Sequence, residues 1–129
     1  MFVDTSAFYA LLDEDDRFHA SASAEFRSAA GQELATHSYV LVETLALVGA
    51  RLGFGAVEQL VESLLPVIRV SMVDEALHLQ SLAAFRAART GSVSFVDQVS
   101  FAFMRRQGVD VAFAFDADFS SEGFRLVPA

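Results

Sequence analysis

The 129-residue sequence contains no cysteine, no lysine and no tryptophan, and the first two absences each remove a class of chemistry. Without cysteine there is no disulfide framework, no thiolate zinc site and no cysteine nucleophile. Without lysine there is no Walker-type phosphate loop, which needs that residue to reach the phosphates. The net charge of −8 argues against a protein that grips nucleic acid through general positive charge. The nine basic residues are all arginines, so phosphate contacts through a few arginines or through metal ions stay open.

Neither a signal peptide nor a membrane-spanning segment is recognisable in the sequence. The first acid comes at Asp4, before any cleavable apolar stretch could form. No uncharged apolar run reaches the roughly 18 residues that a membrane helix needs. We therefore expect a cytoplasmic protein with no membrane association, and the lack of cysteine fits a reducing compartment.

Short apolar runs alternate with helical patterns along the chain. This alternation predicts a single α/β domain over residues 1–129, with a mainly parallel sheet. Ser71 and Asp74 have the spacing of a capping box and predict the start of one helix. The predicted strands are 2–3, 33–36, 67–70, 111–115 and 125–127, and the predicted helices are 6–12, 17–30, 38–52, 54–65, 71–89 and 94–107.

Four acids stand in apolar surroundings where a small domain rarely places charge. Asp4 ends the run Met1-Phe2-Val3, and Asp116 closes a predicted buried strand. Glu43 is the only charge in SYVLVETLALVGA, and Asp97 follows Ser94-Phe95-Val96. Burying an ionised carboxylate without a partner is costly. Because the chain has no lysine, a metal ion is the leading candidate for that partner.

Each acid except Glu43 also has an ordinary structural explanation. Asp4 could cap the following helix, Asp97 has capping-box spacing from Ser94, and Asp116 could be a turn residue. Glu43 has only Tyr39, Val40, Ala46 and Leu47 one helical turn away, and a stray core glutamate is rare. We therefore expect Glu43 on a buried apolar face.

Convergence of the four acids on one pocket would require a cation. At ~6 Å and an effective dielectric of ~20, each pair of like charges costs about 3 kcal/mol. Mg²⁺ and Mn²⁺ prefer oxygen ligands, and such ions support phosphodiester hydrolysis by water. In parallel sheets, sites form at the carboxyl ends of strands, where Asp4 and Asp116 are predicted to lie.

Four segments, in this order, give the chain a resemblance to a known family. They are FVDTSAFYALLDEDDRFHASA, THSYVLVETLAL, SFVDQVSFAFMRRQG and FAFDADFSSEGF. The sequence resembles PIN-domain ribonucleases, specifically the VapC toxins of bacterial VapBC toxin–antitoxin pairs. The resemblance implies a three-layer α/β/α sandwich and an Mg²⁺- or Mn²⁺-dependent endoribonuclease that acts on an RNA substrate.

The resemblance also assigns roles to particular residues. Asp4, Glu43, Asp97 and Asp116 fall on the family's acidic quartet, which is both catalytic and metal-binding. One of Thr5 and Ser6 is expected to orient Asp4 or a metal-bound water, as a residue behind the metal ligands, and Asp118 in the last motif is expected to assist. The family often has Thr or Ser two residues before the last acid, where this chain has Ala114, so a hydroxyl contact is expected to be missing.

The resemblance implies partners as well, and two other interpretations remain open. A VapC-type toxin is held by a cognate antitoxin protein, and the resemblance also allows a homodimer. One alternative is a catalytically weak PIN-like module that docks an antitoxin or another protein, for which Ala114 is the only hint. The other is an α/β domain whose four acids are unrelated.

Overall fold

The computed structural model describes all residues, 1–129, and is built on a five-stranded parallel sheet. The strands are β1 (Phe2–Val3), β2 (Leu34–His37), β3 (Ile68–Ser71), β4 (Val111–Phe113) and β5 (Arg125–Val127). Their order is β3-β2-β1-β4-β5, and every neighbouring pair is parallel. The predicted α/β architecture with a parallel sheet is confirmed, and β5 forms one edge as expected.

Seven α-helices connect and cover the strands. Because parallel strands need crossovers, the helical segment between two successive strands returns the chain to the amino end of the sheet. The helices are α1 (Thr5–Leu12), α2 (His19–Ser28), α3 (Ser38–Arg51), α4 (Phe54–Gln59), α5 (Glu75–Ala88), α6 (Phe95–Gln107) and α7 (Asp118–Ser121). None of these helices is long and apolar enough to cross a membrane.

Phenylalanine rings fill much of the core beside the central strand. The Phe2 ring lies 5.9 Å from both Phe103 and Phe119, measured between ring centroids. Phe101 packs edge-on against Phe119 at 5.1 Å. Phe2, Phe101 and Phe119 are fully buried, so they anchor β1 to α6 and α7. This packing fixes the end of β1, where Asp4 follows.

Two predicted elements are shorter or less regular than expected. The helix predicted over 54–65 is α-helical only to Gln59; residues Leu60–Leu64 form a π-helical turn and Leu65–Val67 a 3₁₀ turn. Pro66 explains the end, since it offers no N–H to continue the helix. The strand predicted over 111–115 ends at Phe113, because the N–H of Phe115 donates to the Ser6 hydroxyl instead of a neighbouring strand.

The helix boundaries also correct three details of the prediction. Asp74, not Ser71, caps α5: its carboxylate accepts from the N–H of Leu77 at 2.8 Å. Helix α2 starts at His19, because Asp16 Oδ1 accepts from the N–H of Phe18 and holds the preceding residues in a turn. The short helix α7 was not predicted, since four residues carry too little periodicity to be recognised.

Candidate active site

The topology brings four acidic segments to the carboxyl end of the sheet. Asp4 directly follows β1, and Asp116 lies three residues beyond the end of the neighbouring strand β4. Asp97 is in the first turn of α6, and its N–H donates to the capping Ser94 hydroxyl at 3.0 Å. The capping explanation of Asp97 therefore holds for its backbone, while its carboxyl group lies among the other acids.

Three carboxylates form the tightest cluster. One oxygen each from Asp97, Asp116 and Asp118 lies within 4.8 Å of the other two. Asp116 Oδ1 also accepts from the N–H of Asp118 at 2.9 Å, a turn that holds the two side chains together. Asp118 was expected only to assist the other acids, yet the structure places it in this cluster.

Asp4 lies buried beside the cluster, and Ser6 fixes its carboxylate. Only 4% of Asp4 is exposed. Its Oδ2 accepts from the Ser6 hydroxyl at 2.6 Å and from the Ser6 N–H at 3.1 Å. The same hydroxyl accepts from the N–H of Phe115 at 3.0 Å, so Ser6 joins the segments that carry Asp4 and Asp116.

Unlike Ser6, Thr5 and Ala114 provide no hydroxyl contact to the acids. The hydroxyl of Thr5 accepts from Thr44 on α3 at 3.3 Å, in the buried contact between α1 and α3. It does not contact the carboxylate of Asp4. Ala114 is buried and supplies no hydroxyl, as the sequence requires, so the hydroxyl contact on this side of the site comes from Ser6.

Burial, and to a smaller extent the neighbouring negative charges, raise the pKa values of Asp97 and Asp4. Burial, then the charges of Asp4 and Asp116, a hydrogen bond with Asp116 and the charge of Glu43 raise the pKa of Asp97 to about 8. Burial raises the pKa of Asp4 to about 6, against the lowering effect of the Ser6 hydrogen bonds, and the charge of Glu43 adds to the rise. No basic side chain contributes to either shift, so the acids lack a protein counter-ion.

Glu43 is not on a buried face, contrary to the expectation from its apolar neighbours. Its side chain is exposed, and it borders a small apolar groove with Tyr39, Val42, Phe95 and Val96. The apolar character of α3 misled the prediction, because part of its hydrophobic surface faces solvent: Val42 is 65% exposed. Glu43 still acts on the site through its charge, which raises the pKa of both Asp4 and Asp97.

A buried polar contact that sequence reasoning missed connects the helices carrying Glu43 and Asp97. His37 Nδ1 accepts from the N–H groups of Tyr39 and Val40 at the start of α3. Its Nε2 lies 2.8 Å from the Ser100 hydroxyl on α6. The two residues are 63 positions apart, so no local spacing signals their contact.

The donor set fits a hard divalent cation. Three carboxylate oxygens within 4.8 Å of one another match the oxygen ligation of Mg²⁺ and Mn²⁺. Burial first, and then the charges of Asp4 and Asp116, raise the pKa of Asp97, and no lysine or arginine neutralises these acids. The residues present are therefore suited to bind a metal ion rather than to pair with a side chain.

Comparison with known proteins agrees with this site and fold. The family model described as PIN domain matches residues 1–124. This chain belongs to the PIN domain family. The 23S rRNA-specific endonuclease VapC20 of Mycobacterium tuberculosis, from strains CDC 1551 / Oshkosh and ATCC 25618 / H37Rv, is 38% identical over 125 residues, covering 96% of this chain and 95% of the relative.

Three solved structures have the same architecture. The crystal structure of Mycobacterium tuberculosis VapC20, a sarcin–ricin loop cleaving toxin, superposes with a TM-score of 0.83 at 35% identity and 95% coverage of both chains. FitAcB from Neisseria gonorrhoeae gives 0.73 at 16% identity, covering 97% of this chain and 94% of its own. FitAB bound to a DNA fragment gives 0.73 at 13% identity, covering 97% and 92%. The last two likenesses show the fold alone.

These findings confirm the family, the three-layer fold and the ribonuclease class predicted from the sequence. PIN domain nucleases are hydrolases that use divalent metal ions. The roles of individual acids in this chain and the identity of its metal remain predictions.

Proposed function

We propose that this chain is a VapC-type toxin, a metal-dependent endoribonuclease that cuts a structured ribosomal RNA. The carboxylate cluster of Asp97, Asp116 and Asp118, with buried Asp4 beside it, is the observation that carries the proposal. The relative that is 38% identical acts on 23S rRNA, and its solved structure is that of a sarcin–ricin loop cleaving toxin. We therefore propose the sarcin–ricin loop as the RNA substrate.

The acidic residues of the proposed site have different tasks. Asp97, Asp116 and Asp118 would each offer one carboxylate oxygen to an Mg²⁺ or Mn²⁺ ion. Asp4 follows β1 and is held by Ser6, and its charge acts on Asp97. Glu43 is exposed, and from there it would place the ion or the attacking water. When bound, the ion neutralises the carboxylates and lowers the pKa of water for attack on phosphorus.

We propose hydrolysis with water as the nucleophile. Water adds to the phosphorus in line with the leaving 3′-oxygen, the P–O3′ bond breaks, and the leaving oxygen takes up a proton. The products carry a 5′-phosphate and a 3′-hydroxyl. The ribose 2′-hydroxyl takes no part, so no cyclic phosphate forms.

Analysis of the cleavage products tests the proposal. The purified chain is incubated with a sarcin–ricin loop hairpin RNA in Mg²⁺, in Mn²⁺ and in EDTA. We expect one main cut in the loop, 5′-phosphate and 3′-hydroxyl ends, and no cut in EDTA. Cleavage in EDTA, or products ending in a 2′,3′-cyclic phosphate, would contradict the proposed chemistry.

An antitoxin is the proposed protein partner, and α3 and α4 with the turn after them offer it a surface. Val42, Phe54 and Val61 are 65%, 73% and 45% exposed on these elements. Glu43 lies on the same helix as Val42, so a protein bound there would also cover the rim of the acidic site. Co-expression with the cognate antitoxin should block RNA cleavage, and Phe54→Ser should weaken that block.

A homodimer is a further part of the proposal. Leu79 and Leu82 on α5 and Met72 before it are exposed, at 53%, 36% and 81%. Burying such side chains against a second copy would remove them from water. Light scattering of the purified chain and of Leu79→Glu tests this: a dimer that becomes a monomer in the variant supports it, and a monomeric wild type overturns it.

A further inference from the structure

Most arginines of this chain lie away from the acidic site or are already paired. Three form ion pairs with N···O distances of 2.7 Å: Arg69 with Glu33, Arg105 with Glu122 and Arg106 with Asp74. Arg27, at the end of α2, and Arg125, at the start of β5, stand near the amino end of the sheet, opposite the site. Arg51 lies over the ring of Tyr9, 5.9 Å from its centroid. Arg86 and Arg89 stand at the end of α5 and form no ion pair with the acids of the site.

Arg17 differs from these arginines in that a chain of contacts connects it to the acidic site. Its guanidinium carbon lies 4.5 Å from the centre of the Phe18 ring. The Phe18 ring stacks on Phe115, with ring centroids 4.5 Å apart and an interplanar angle of 12°. Phe115 directly precedes Asp116, and its N–H donates to the Ser6 hydroxyl that holds Asp4.

The neighbouring acids do not neutralise Arg17. Asp16 Oδ1 accepts from the N–H of Phe18, and Asp13 Oδ1 accepts from the N–H of Asp15, so both carboxylates serve the turn. Arg17 itself is exposed and forms no ion pair. A planar guanidinium supported on one side by an aromatic ring keeps its other face and its N–H edge free for a ligand.

RNA supplies the chemistry that fits this position. A nuclease with a net charge of −8 gains nothing from general electrostatic attraction to RNA. Individual positively charged side chains near the site therefore contribute more to RNA binding. Arginine binds phosphate through its N–H edge and stacks on unpaired bases through its face. Nucleotides in an RNA loop present both a phosphate and an unpaired base, because their bases can unstack.

We propose that Arg17, supported by the stacked rings of Phe18 and Phe115, binds a nucleotide of the RNA substrate next to the scissile phosphodiester. This inference rests on the proposed ribonuclease function. It makes Arg17 a substrate-binding residue, distinct from the acids that hold the metal. Arg17 therefore contributes to RNA affinity and leaves the chemical step unchanged.

The test measures RNA binding and cleavage for Arg17→Ala and Arg17→Lys, with Arg125→Ala as the matched control. Arg125 is an equally exposed arginine at the opposite end of the sheet. Binding of a fluorescent sarcin–ricin loop hairpin is measured by anisotropy in Mn²⁺, with all variants in an Asp4→Asn background to prevent cleavage. KM and kcat are measured with Asp4 intact, and Mn²⁺ affinity is measured by calorimetry.

We expect Arg17→Ala to weaken RNA binding about 5- to 20-fold and to raise KM by a similar factor, with kcat and Mn²⁺ affinity unchanged. The slope of log K against log salt should fall by about one. Arg17→Lys should recover the salt slope but only part of the affinity, since lysine cannot stack as a plane. Arg125→Ala should have the same RNA affinity, KM and kcat as the protein without this substitution.

Contrary results separate this inference from the proposed function. If wild type cleaves the hairpin while Arg17→Ala binds RNA as tightly as Arg125→Ala, the assignment of Arg17 is wrong and the ribonuclease function stands. Full recovery of affinity by lysine would overturn the stacking role. If the wild-type chain neither binds nor cleaves the hairpin, the proposed substrate fails, and the role of Arg17 fails with it.

Discussion

His37 and Ser100 meet inside the protein, with His37 Nε2 and Ser100 Oγ 2.8 Å apart. Because His37 Nδ1 accepts two backbone N–H groups at the start of α3, the ring carries its proton on Nε2 and donates to Ser100. The Ser100 hydroxyl donates in turn to the carbonyl of Val96, the residue before Asp97. The contact therefore fixes the helix of Glu43 relative to the helix of Asp97.

Ser100→Ala should destabilise the protein by about 1–3 kcal/mol, because it leaves the buried Nε2–H of His37 without an acceptor. The matched control is Ser81→Ala. Ser81 is also a fully buried helical serine, but its hydroxyl donates only to the Leu77 carbonyl of its own helix. Chemical unfolding measures both variants. Equal losses of unfolding free energy in the two would contradict a special role for the His37–Ser100 contact.

The stability of the protein should depend on pH through His37. Burial lowers the pKa of His37 from 6.5 to about 4 in the folded protein. Between these values the unfolded chain binds more protons, so His37 stabilises the fold above pH 6.5, and this contribution is lost as pH falls towards 4. The loss amounts to about 3 kcal/mol.

His37→Asn isolates this effect, because asparagine can still cap α3 but does not titrate. The raised pKa values of Asp4 and Asp97 act in the opposite direction, making the fold less stable as pH rises, and they are present in both proteins. The free energy of unfolding of wild type minus that of His37→Asn, measured with urea from pH 7 to pH 4, should therefore fall as pH falls. A constant difference would contradict a buried, neutral His37.

Asp97→Asn should stabilise the metal-free protein while removing its response to metal. The substitution takes away the carboxyl whose pKa is raised most strongly by burial and by Asp4 and Asp116. After allowance for solvent screening at this partly exposed group, the gain in EDTA should be about 1–2 kcal/mol at neutral pH. Asp110→Asn, at an exposed aspartate before β4, is the control and should change little. A loss of stability in Asp97→Asn would argue against repulsion among the acids.

Glu43→Gln should weaken the stabilisation that Mg²⁺ or Mn²⁺ gives the wild type. Millimolar metal at tens of Kd or more stabilises a folded protein by about 1–3 kcal/mol. Thermal unfolding in EDTA and in metal measures this shift in wild type, in Glu43→Gln and in the control Glu58→Gln, an exposed glutamate on α4. If Glu43→Gln responds to metal as fully as Glu58→Gln, Glu43 takes no part in the metal site.

The sequence was sufficient for the fold because its signals are local. Alternating apolar runs and helical segments predict parallel strands, and Asp4 and Asp116 end predicted strands that prove to be neighbours. The environment of Glu43 was not predictable in the same way. A helix that is apolar on most sides suggests burial, and only the packing reveals that Val42 beside Glu43 faces solvent.

Contacts between distant residues account for the rest of what sequence reasoning missed. The bond from the Phe115 N–H to the Ser6 hydroxyl spans 109 positions and shortens β4. The inclusion of Asp118 in the carboxylate cluster depends on the turn in which its N–H donates to Asp116. Such geometry follows from the assembled sheet and not from any local pattern.

RNA cleavage by Asp4→Asn tests the central claim most directly. Asparagine can still accept the Ser6 hydrogen bonds and cap α1, so the variant should fold. Wild type, Asp4→Asn and the control Asp110→Asn are assayed on the sarcin–ricin loop hairpin in Mg²⁺, with circular dichroism as the check on folding. We expect a folded Asp4→Asn whose cleavage rate is lower by about a hundredfold or more, and an Asp110→Asn that cleaves like wild type. A folded, nuclease-free preparation of Asp4→Asn that cleaves at the wild-type rate would contradict the proposed active site.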